Sequence, residues 1–260
     1  MFRELLEIYQ SSLVNEGAPE CLFAETLIFN EGWMLRSVLK EWLTGSKRSQ
    51  FRFLPFPGGV KLYSEGQLRT PFKAGYRGDP QAESHTRVDG IVGNFSIVGT
   101  KSGIGLNPDF RYVSVFEGKL YSRIARGTKN APYYDQISRT TACIINAILQ
   151  AGTGTGYRAH LAVLYPEDNR HIDPALYSTA YIENQITKRV QAFMEAGTDD
   201  GDITRFAAGW RDVLKNLQIW FVPWEEVLAE IGCDDLDRFY ELCKRFNRRP
   251  TGGASAKESI

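Results

Sequence analysis

The sequence contains no long hydrophobic run, few cysteines and no excess of charge of either sign. No apolar stretch approaches the roughly 18 residues that a membrane-spanning helix needs, and the segment from Met1 to Glu7 mixes acids into its apolar positions, unlike a signal peptide. The four cysteines are scattered without a CxxC pair, so we expect reduced thiols in a cytoplasmic protein. With 31 basic and 31 acidic residues, the composition argues against a general electrostatic coat for nucleic acid but leaves room for a local basic groove.

The composition that remains is typical of a globular protein. A chain of 260 residues, of which 43% are hydrophobic and 12% aromatic, is long enough for one α/β domain with a sizeable core. We expect a single domain over residues 1–247. The segment 248–260 is rich in glycine and small polar residues and is expected to be a flexible tail.

The hydrophobic spacing switches along the chain between the periods of helices and of strands. Helices are predicted near 2–12, 27–43, 130–152, 174–196, 202–216 and 235–247. Strands are predicted near 51–56, 60–63, 86–95, 111–122, 157–165 and 219–222, with a polar loop at about 70–84. The middle of the chain thus follows an α-β-β-β-α-β order. This order predicts an α/β or α+β fold in which helices flank a mixed sheet, with extra helices toward the C-terminus.

The helix near 130–152 has predicted boundary signals at both ends. Asn130-Ala131-Pro132 is typical of a helix start, because proline at an early helical position loses no hydrogen bond. Gly152 is typical of a helix end.

The strand around Glu117 carries charged residues where apolar ones are expected. Side chains two residues apart share a face of a strand, so Glu117 and Lys119 point the same way, together with Val113 and Val115. An acid and an ammonium group turned toward a buried face need a reason, because burying charge is costly. Taken alone, Glu117-Gly118-Lys119 is equally compatible with an ion pair at a frayed strand end and with a metal site.

Asp89 lies inside a second apolar strand, within Arg87-Val88-Asp89-Gly90-Ile91. Aspartate is disfavoured in strand interiors, although a turn or edge position beside Gly90 is an alternative explanation. If the two strands are neighbours, the carboxylates of Asp89 and Glu117 converge at one end of the sheet. Two carboxylates and a backbone carbonyl suit Mg²⁺, which keeps several waters. Lys119 beside them could orient or help to deprotonate a water and stabilise phosphate charge.

An acidic residue in one strand and Glu-x-Lys in the next, within this order of elements, resembles the PD-(D/E)xK or restriction-endonuclease-like nucleases over about residues 25–166. The resemblance implies that Asp89 and Glu117 hold Mg²⁺ or Mn²⁺ and that Gly118 offers its carbonyl. It implies that Lys119 assists the attacking water. The implied activity is hydrolysis of phosphodiester bonds of DNA, with RNA less favoured, leaving a 5′-phosphate.

Two further residues connect the sequence with the RecB-like branch of that family. The branch often places Gln-x-x-x-Tyr on the helix after the Glu-x-Lys strand; here Gln136 is followed four residues later by Thr140, a partial match. Glu31 interrupts the apolar stripe of the helix near 27–43, where the family often supplies another carboxylate. An acid favoured by the helix dipole is the alternative explanation for Glu31. The family commonly has proline before the aspartate, whereas Val88 stands there in this chain, which lowers the specificity of the motif.

Basic and aromatic residues cluster in the sequence around these acids. Such a mixture suits a phosphate backbone and stacked bases, although a solvated loop explains the same pattern. The residues predicted to bind nucleic acid are Arg87, Arg126, Lys129, Arg139 and Tyr133.

The sequence therefore predicts a metal-dependent nuclease whose partner is nucleic acid, acting alone, as a homo-oligomer or in a larger DNA-processing complex. The helices at 170–247 form an extension that could serve substrate selection or oligomerisation. Two alternatives stay open: a nuclease-fold module without hydrolytic activity that binds nucleic acid or a partner protein, and an unrelated carboxylate enzyme such as a glycoside hydrolase using Asp89 and Glu117. Lys119 disfavours the latter, since a glycosidase needs no lysine at that position.

Overall fold

A computed structural model describes residues 25–45, 56–99, 102–127, 131–152, 156–197 and 201–248. The predicted helix at 2–12, most of the predicted strand at 51–56 and the tail after 248 lie outside these residues. The helices are α1 (Glu31–Thr44), α2 (Gln136–Ala151), α3 (Thr179–Glu195), α4 (Gly201–Asn216), α5 (Trp224–Ile231) and α6 (Asp234–Asn247). The strands are β1 (Lys61–Leu68), β2 (Thr86–Gly93), β3 (Phe95–Val98), β4 (Gly103–Leu106), β5 (Tyr112–Gly118), β6 (Arg158–Tyr165) and β7 (Leu217–Pro223). Short 3-10 helices cover Glu25–Leu27 and Pro174–Leu176.

Within the described residues the strands form one mixed sheet of seven strands in the order β3-β4-β1-β2-β5-β6-β7. β1 pairs antiparallel with β2, and β2 pairs antiparallel with β5, whereas β5, β6 and β7 run parallel. The strand of Asp89 is therefore a direct neighbour of the strand of Glu117, with Gly90 opposite Phe116. Because β5 and β6 are parallel, their carboxyl ends lie at the same edge of the sheet.

Hydrophobic layers cover both faces of this sheet. Along β5, Val113 and Val115 belong to the layer formed with α2, α3 and α4, while Tyr112 and Phe116 belong to the layer formed with α1, α5 and α6. All residues of β5 are buried. The expected mixed α/β fold, a sheet between helices, is confirmed, and Glu117 and Gly118 end a strand that has no exposed face.

The boundaries of α2 correct the sequence prediction at one end and confirm it at the other. The helix begins at Gln136 and not at 130–132, because the Asp135 carboxylate caps it by accepting from the Ser138 N–H at 2.9 Å. It ends at Gly152, whose φ of 65° lies in the left-handed region that glycine adopts most easily.

The predicted strand at 86–95 is in fact two strands, β2 and β3, and a β3–β4 hairpin enters the predicted α-β-β-β-α-β order. A side chain at Gly93 would meet the Tyr112 carbonyl oxygen at 2.6 Å, so only glycine fits where the chain leaves β2. The predicted strand at 111–122 ends at Gly118, which leaves Lys119 one residue beyond it. Helix α5 was not predicted at all. In the described part of the chain no helix is long and apolar enough to cross a membrane.

Candidate metal centre

At Asp89 the side chains of β2 stop alternating regularly between the two faces of the sheet. Alternation along a strand would place Val88 and Gly90 on the same face. Val88 instead belongs to the layer of α2, α3 and α4, whereas a Cβ on Gly90 would lie 2.8 Å from Leu39 of α1. On the neighbouring strand β1, Glu65 has a φ of 59°, a conformation that side chains rarely adopt. The sheet is thus locally distorted beside Asp89, and such distortions are common at functional sites.

Strand β5 brings a second carboxylate next to Asp89. The Gly118 N–H donates to Asp89 Oδ2 at 2.8 Å, which ties the two strands together at this point. Burial and, after it, the negative charge of Glu117 raise the pKa of Asp89 from 3.8 to about 7, although the Gly118 hydrogen bond and the Lys119 charge act in the opposite direction. The two acids therefore repel each other in a site of low polarity, which a bound cation would relieve.

The Glu117 side chain is held by two donors on one of its oxygens. It is 4% exposed, and its Oε1 accepts from Lys119 Nζ at 2.6 Å and from Gln136 Nε2. Gln136 is itself fixed by Ala125, because its N–H donates to the Ala125 carbonyl at 2.9 Å and its Oε1 accepts from the Ala125 N–H at 3.3 Å. The other Glu117 oxygen accepts no hydrogen bond from the described residues, which leaves it available to a ligand.

Lys119 lies outside β5, but hydrogen bonds of its backbone hold it in place. Its N–H donates to the Leu164 carbonyl of β6 at 2.8 Å, and its carbonyl accepts from the indole Nε1 of Trp224 at 2.8 Å. Trp224 is fully buried as the first residue of α5. Sequence reasoning missed this residue, since nothing in its local sequence connects it with Lys119.

Glu31 approaches the tripeptide from helix α1. The helix begins at Glu31 because the Asn30 side chain caps it by accepting from the Trp33 N–H at 3.0 Å. The Glu31 carbonyl oxygen lies 3.3 Å from where a Cβ on Gly118 would stand, and its carboxylate accepts from Ser122 Oγ at 3.4 Å. Asp89, Glu117, Lys119 and Gln136, all predicted from the sequence as catalytic, thus lie together, whereas Glu31 reaches this site through its backbone and its carboxylate contacts Ser122 instead.

The residues predicted to bind nucleic acid differ in their exposure to solvent and in their contacts. Arg87 and Arg126 are exposed, and Arg87 is 3.9 Å from a carboxylate of β1. Tyr133 packs in part against the layer of α2, α3 and α4, and Arg139 is half-buried, with an Nε that has no hydrogen-bond partner among the described residues. Lys129 lies outside the described residues.

The donor set fits Mg²⁺ or Mn²⁺. Within the described ranges, no three histidine, cysteine, aspartate or glutamate side chains come close enough together to hold a metal ion. A site here would rest on the Asp89 and Glu117 carboxylates, the Gly118 carbonyl, and water or phosphate oxygens. Mg²⁺ is usually bound in this way, by one or two carboxylates while it keeps several waters.

A cleft of about 1020 Å³ opens beside these residues, at the carboxyl ends of β5 and β6. Its walls are residues 120–123, residues 168–171, the end of α6 at Asn247 and Arg248, and Glu31. Asp89 and Glu117 do not line it, so Glu31 is the residue that connects the cleft with the carboxylate pair. Neither the cleft nor the contribution of α6 was predicted from the sequence.

Comparison of the chain with models of protein families, with curated proteins and with solved structures found no match in any of the three.

Proposed function

We propose that this protein is a metal-dependent nuclease with a restriction-endonuclease-like core, which hydrolyses phosphodiester bonds of DNA. One observation carries the proposal: an aspartate from one strand and a Glu-Gly-Lys tripeptide from the neighbouring strand meet at one site. The Gly118 N–H binds Asp89 at 2.8 Å, and Lys119 Nζ binds Glu117 at 2.6 Å. The backbone pairing of β2 with β5 extends only to Gly90 and Phe116, so beyond it the Asp89 carboxylate links the two strands.

The order of elements supports the same proposal. Helix α1, strands β1, β2 and β5, helix α2 and strand β6 follow one another as the family resemblance implies, with the β3–β4 hairpin as an insertion. Gln136 stands in the first turn of the helix after the Glu-x-Lys strand, and its contact with Glu117 gives it a function even though Thr140 replaces the tyrosine of the RecB-like motif.

In this proposal Asp89, Glu117 and the Gly118 carbonyl would hold Mg²⁺ or Mn²⁺. When bound, such an ion makes a coordinated water more acidic and neutralises charge on the phosphate. Lys119 orients the attacking water and stabilises the negative charge that develops on the phosphate oxygens. The water oxygen bonds to phosphorus as the bond to O3′ breaks. The water gives up a proton to solvent and O3′ takes one from solvent, so the products are a 5′-phosphate and a 3′-hydroxyl. Gln136 acts on this step as a positioning residue, because it fixes the orientation of Glu117.

The test is cleavage of circular single-stranded, linear single-stranded and duplex DNA in the presence of Mg²⁺, Mn²⁺ or EDTA. We expect cleavage with either metal and none with EDTA. Asp89→Asn, Glu117→Gln and Lys119→Met should each lower the rate by at least about 100-fold, as loss of a single charge-stabilising group often does. Glu195→Gln, an exposed acid of α3, is the matched control and should cleave like the parent.

Cleavage that persists in all three variants would contradict the assignment of the site. Binding of DNA by the parent without cleavage under any metal condition would instead favour a nuclease-fold module that has no hydrolytic activity.

A further inference from the structure

We infer that the cleft of about 1020 Å³ holds an unpaired nucleic-acid strand and leads it to the carboxylate pair. The ligand class rests on the proposed nuclease function, but the cleft adds residues that the sequence analysis did not select. Its basic residues come from the segment after β5, the segment after β6 and the end of α6.

The position of the cleft connects it directly with the candidate metal centre. In open α/β sheets, ligands bind beyond the carboxyl ends of parallel strands, and the cleft lies beyond the ends of β5 and β6. Its wall begins at Leu120, the residue after Lys119, and includes Glu31, whose backbone packs against Gly118. A strand lying in the cleft therefore passes residues that directly adjoin Gly118 and Lys119.

The walls of the cleft are held in place by two amide side chains. Asn169, which is 3% exposed, donates from Nδ2 to the Leu120 carbonyl at 2.7 Å and to the Ser122 carbonyl at 3.4 Å. On the other side, Asn247 donates to the Phe29 carbonyl at 2.6 Å and so fixes the end of α6 against the start of α1. The cleft is thus preorganised, which lowers the entropic cost of binding.

Charge in the cleft favours an anionic ligand. Its acids are Glu31 and Asp168, and Arg248 neutralises Asp168 at 3.1 Å. Arg123 and Arg170 are exposed and form no ion pair within the part of the chain that the structure describes. Arginine binds phosphate through its planar set of donors, so two arginines without an ion pair, one from each of two neighbouring wall segments, suit successive phosphates of a strand.

The size and the aromatic content of the cleft favour an unpaired strand over a duplex. Its volume is at the upper end of the range for small-ligand pockets, about 300–1,000 Å³, which suits a few nucleotides. Tyr121 lines the wall, oriented by its hydroxyl, which donates to Asp168 at 3.4 Å, and by the Arg248 guanidinium, 5.8 Å from its ring centroid. Aromatic rings in such grooves stack on unpaired bases of any sequence.

The experiment is fluorescence anisotropy with a labelled oligothymidylate of about 12 nucleotides, in EDTA so that no cleavage occurs. The test variant is Arg123→Ala/Arg170→Ala. The matched control is Arg77→Ala/Arg238→Ala, which removes two exposed arginines outside the cleft. We expect the test variant to bind about tenfold more weakly and the slope of log affinity against log salt to shrink by about 1.4, since each single-strand phosphate contact contributes about 0.7.

The control variant should bind within about twofold of the parent, because exposed charges away from a ligand act weakly at ordinary salt. The inference would be overturned if the parent bound no single strand, or if both double variants lost affinity equally. It would also be overturned if a duplex of the same length bound more tightly than the single strand and lost as much affinity in the test variant. An oligouridylate of the same length shows whether the cleft distinguishes DNA from RNA, and weakened binding of either strand in the test variant supports it.

Cleavage measured in parallel with Mg²⁺ separates this inference from the proposed function. Strand binding through the cleft without any cleavage would end the nuclease proposal and leave the cleft assignment standing. Cleavage by the parent, with neither binding nor cleavage reduced in the test variant, would end the cleft assignment and leave the nuclease proposal standing.

Discussion

Replacing Asp89 by asparagine is expected to stabilise the metal-free protein at neutral to basic pH while removing its response to metal. Asp89 is ionised there although it is half-buried and lies near Glu117, and both conditions raise its pKa from 3.8 to about 7. Folding raises the pKa of this acid, so protonated Asp89 favours the folded state. This contribution to the free energy of unfolding is fully present below pH 3.8 and is lost as the pH rises through about 7. The parent should therefore become less stable over that interval.

The magnitude follows from the two pKa values. Each pH unit between them corresponds to about 1.4 kcal/mol, so the ionised Asp89 costs at most about 4 kcal/mol at pH 8. Asparagine removes that cost but accepts the Gly118 hydrogen bond less strongly than a carboxylate does, a loss of about 1 kcal/mol. The net gain of Asp89→Asn should be about 2–3 kcal/mol at pH 8 and close to zero near pH 4.

The assay is urea denaturation of the parent and of Asp89→Asn near pH 4, 6 and 8, first in EDTA and then with Mg²⁺ or Mn²⁺. Metal should raise the urea midpoint of the parent at pH 8, because binding to the folded state stabilises it, and should leave Asp89→Asn unchanged. Asp109→Asn, an exposed control, should stay within about 0.5 kcal/mol of the parent. A loss of stability in Asp89→Asn at pH 8, or an equal change at pH 4 and pH 8, would refute the reasoning.

Three further substitutions test the support around the site and the core. Gln136→Leu removes one donor from Glu117 and should lower metal affinity or the cleavage rate by about 10- to 100-fold with little change in Tm; unchanged metal titration and rate would show that the contact is incidental. Trp224→Phe leaves the buried Lys119 carbonyl without its donor and should lower the free energy of unfolding by about 1–2 kcal/mol in urea denaturation, and an unchanged urea midpoint would speak against that bond. Arg189 is 1% exposed, and Arg189→Met leaves the buried carboxylate that it pairs with without a partner. The free energy of unfolding should fall by about 3–5 kcal/mol in the same assay; a decrease under about 1 kcal/mol would contradict this expectation.

The carboxylate pair could be predicted from the sequence because its signal is local. Asp89 and Glu117 each interrupt an apolar strand, and only the adjacency of the two strands had to be assumed. Trp224 and Asn169 carry no such signal. Each acts through hydrogen bonds to distant carbonyls, 105 residues away for Trp224 and 49 residues away for the shorter bond of Asn169, and a buried tryptophan or asparagine is unremarkable in sequence.

The errors in the predicted elements also have physical causes. At α2 the proline signal at Pro132 competes with the carboxylate cap at Asp135, and the cap decides the start because it satisfies a helical N–H directly. Strands β3 and β4 have four residues each, and two of the β4 residues are glycines, so the alternation that predicts strands is too short to detect.

The most direct test of the central claim is the location of Mn²⁺ in crystals of the parent protein by anomalous diffraction. We expect an anomalous peak within coordination distance, about 2.0–2.3 Å, of an oxygen of Asp89 and of the Glu117 oxygen that no side chain engages. The same peak should be absent from crystals of Glu117→Gln. Mn²⁺ bound only elsewhere, or no peak between the two carboxylates at saturating metal, would contradict the claim.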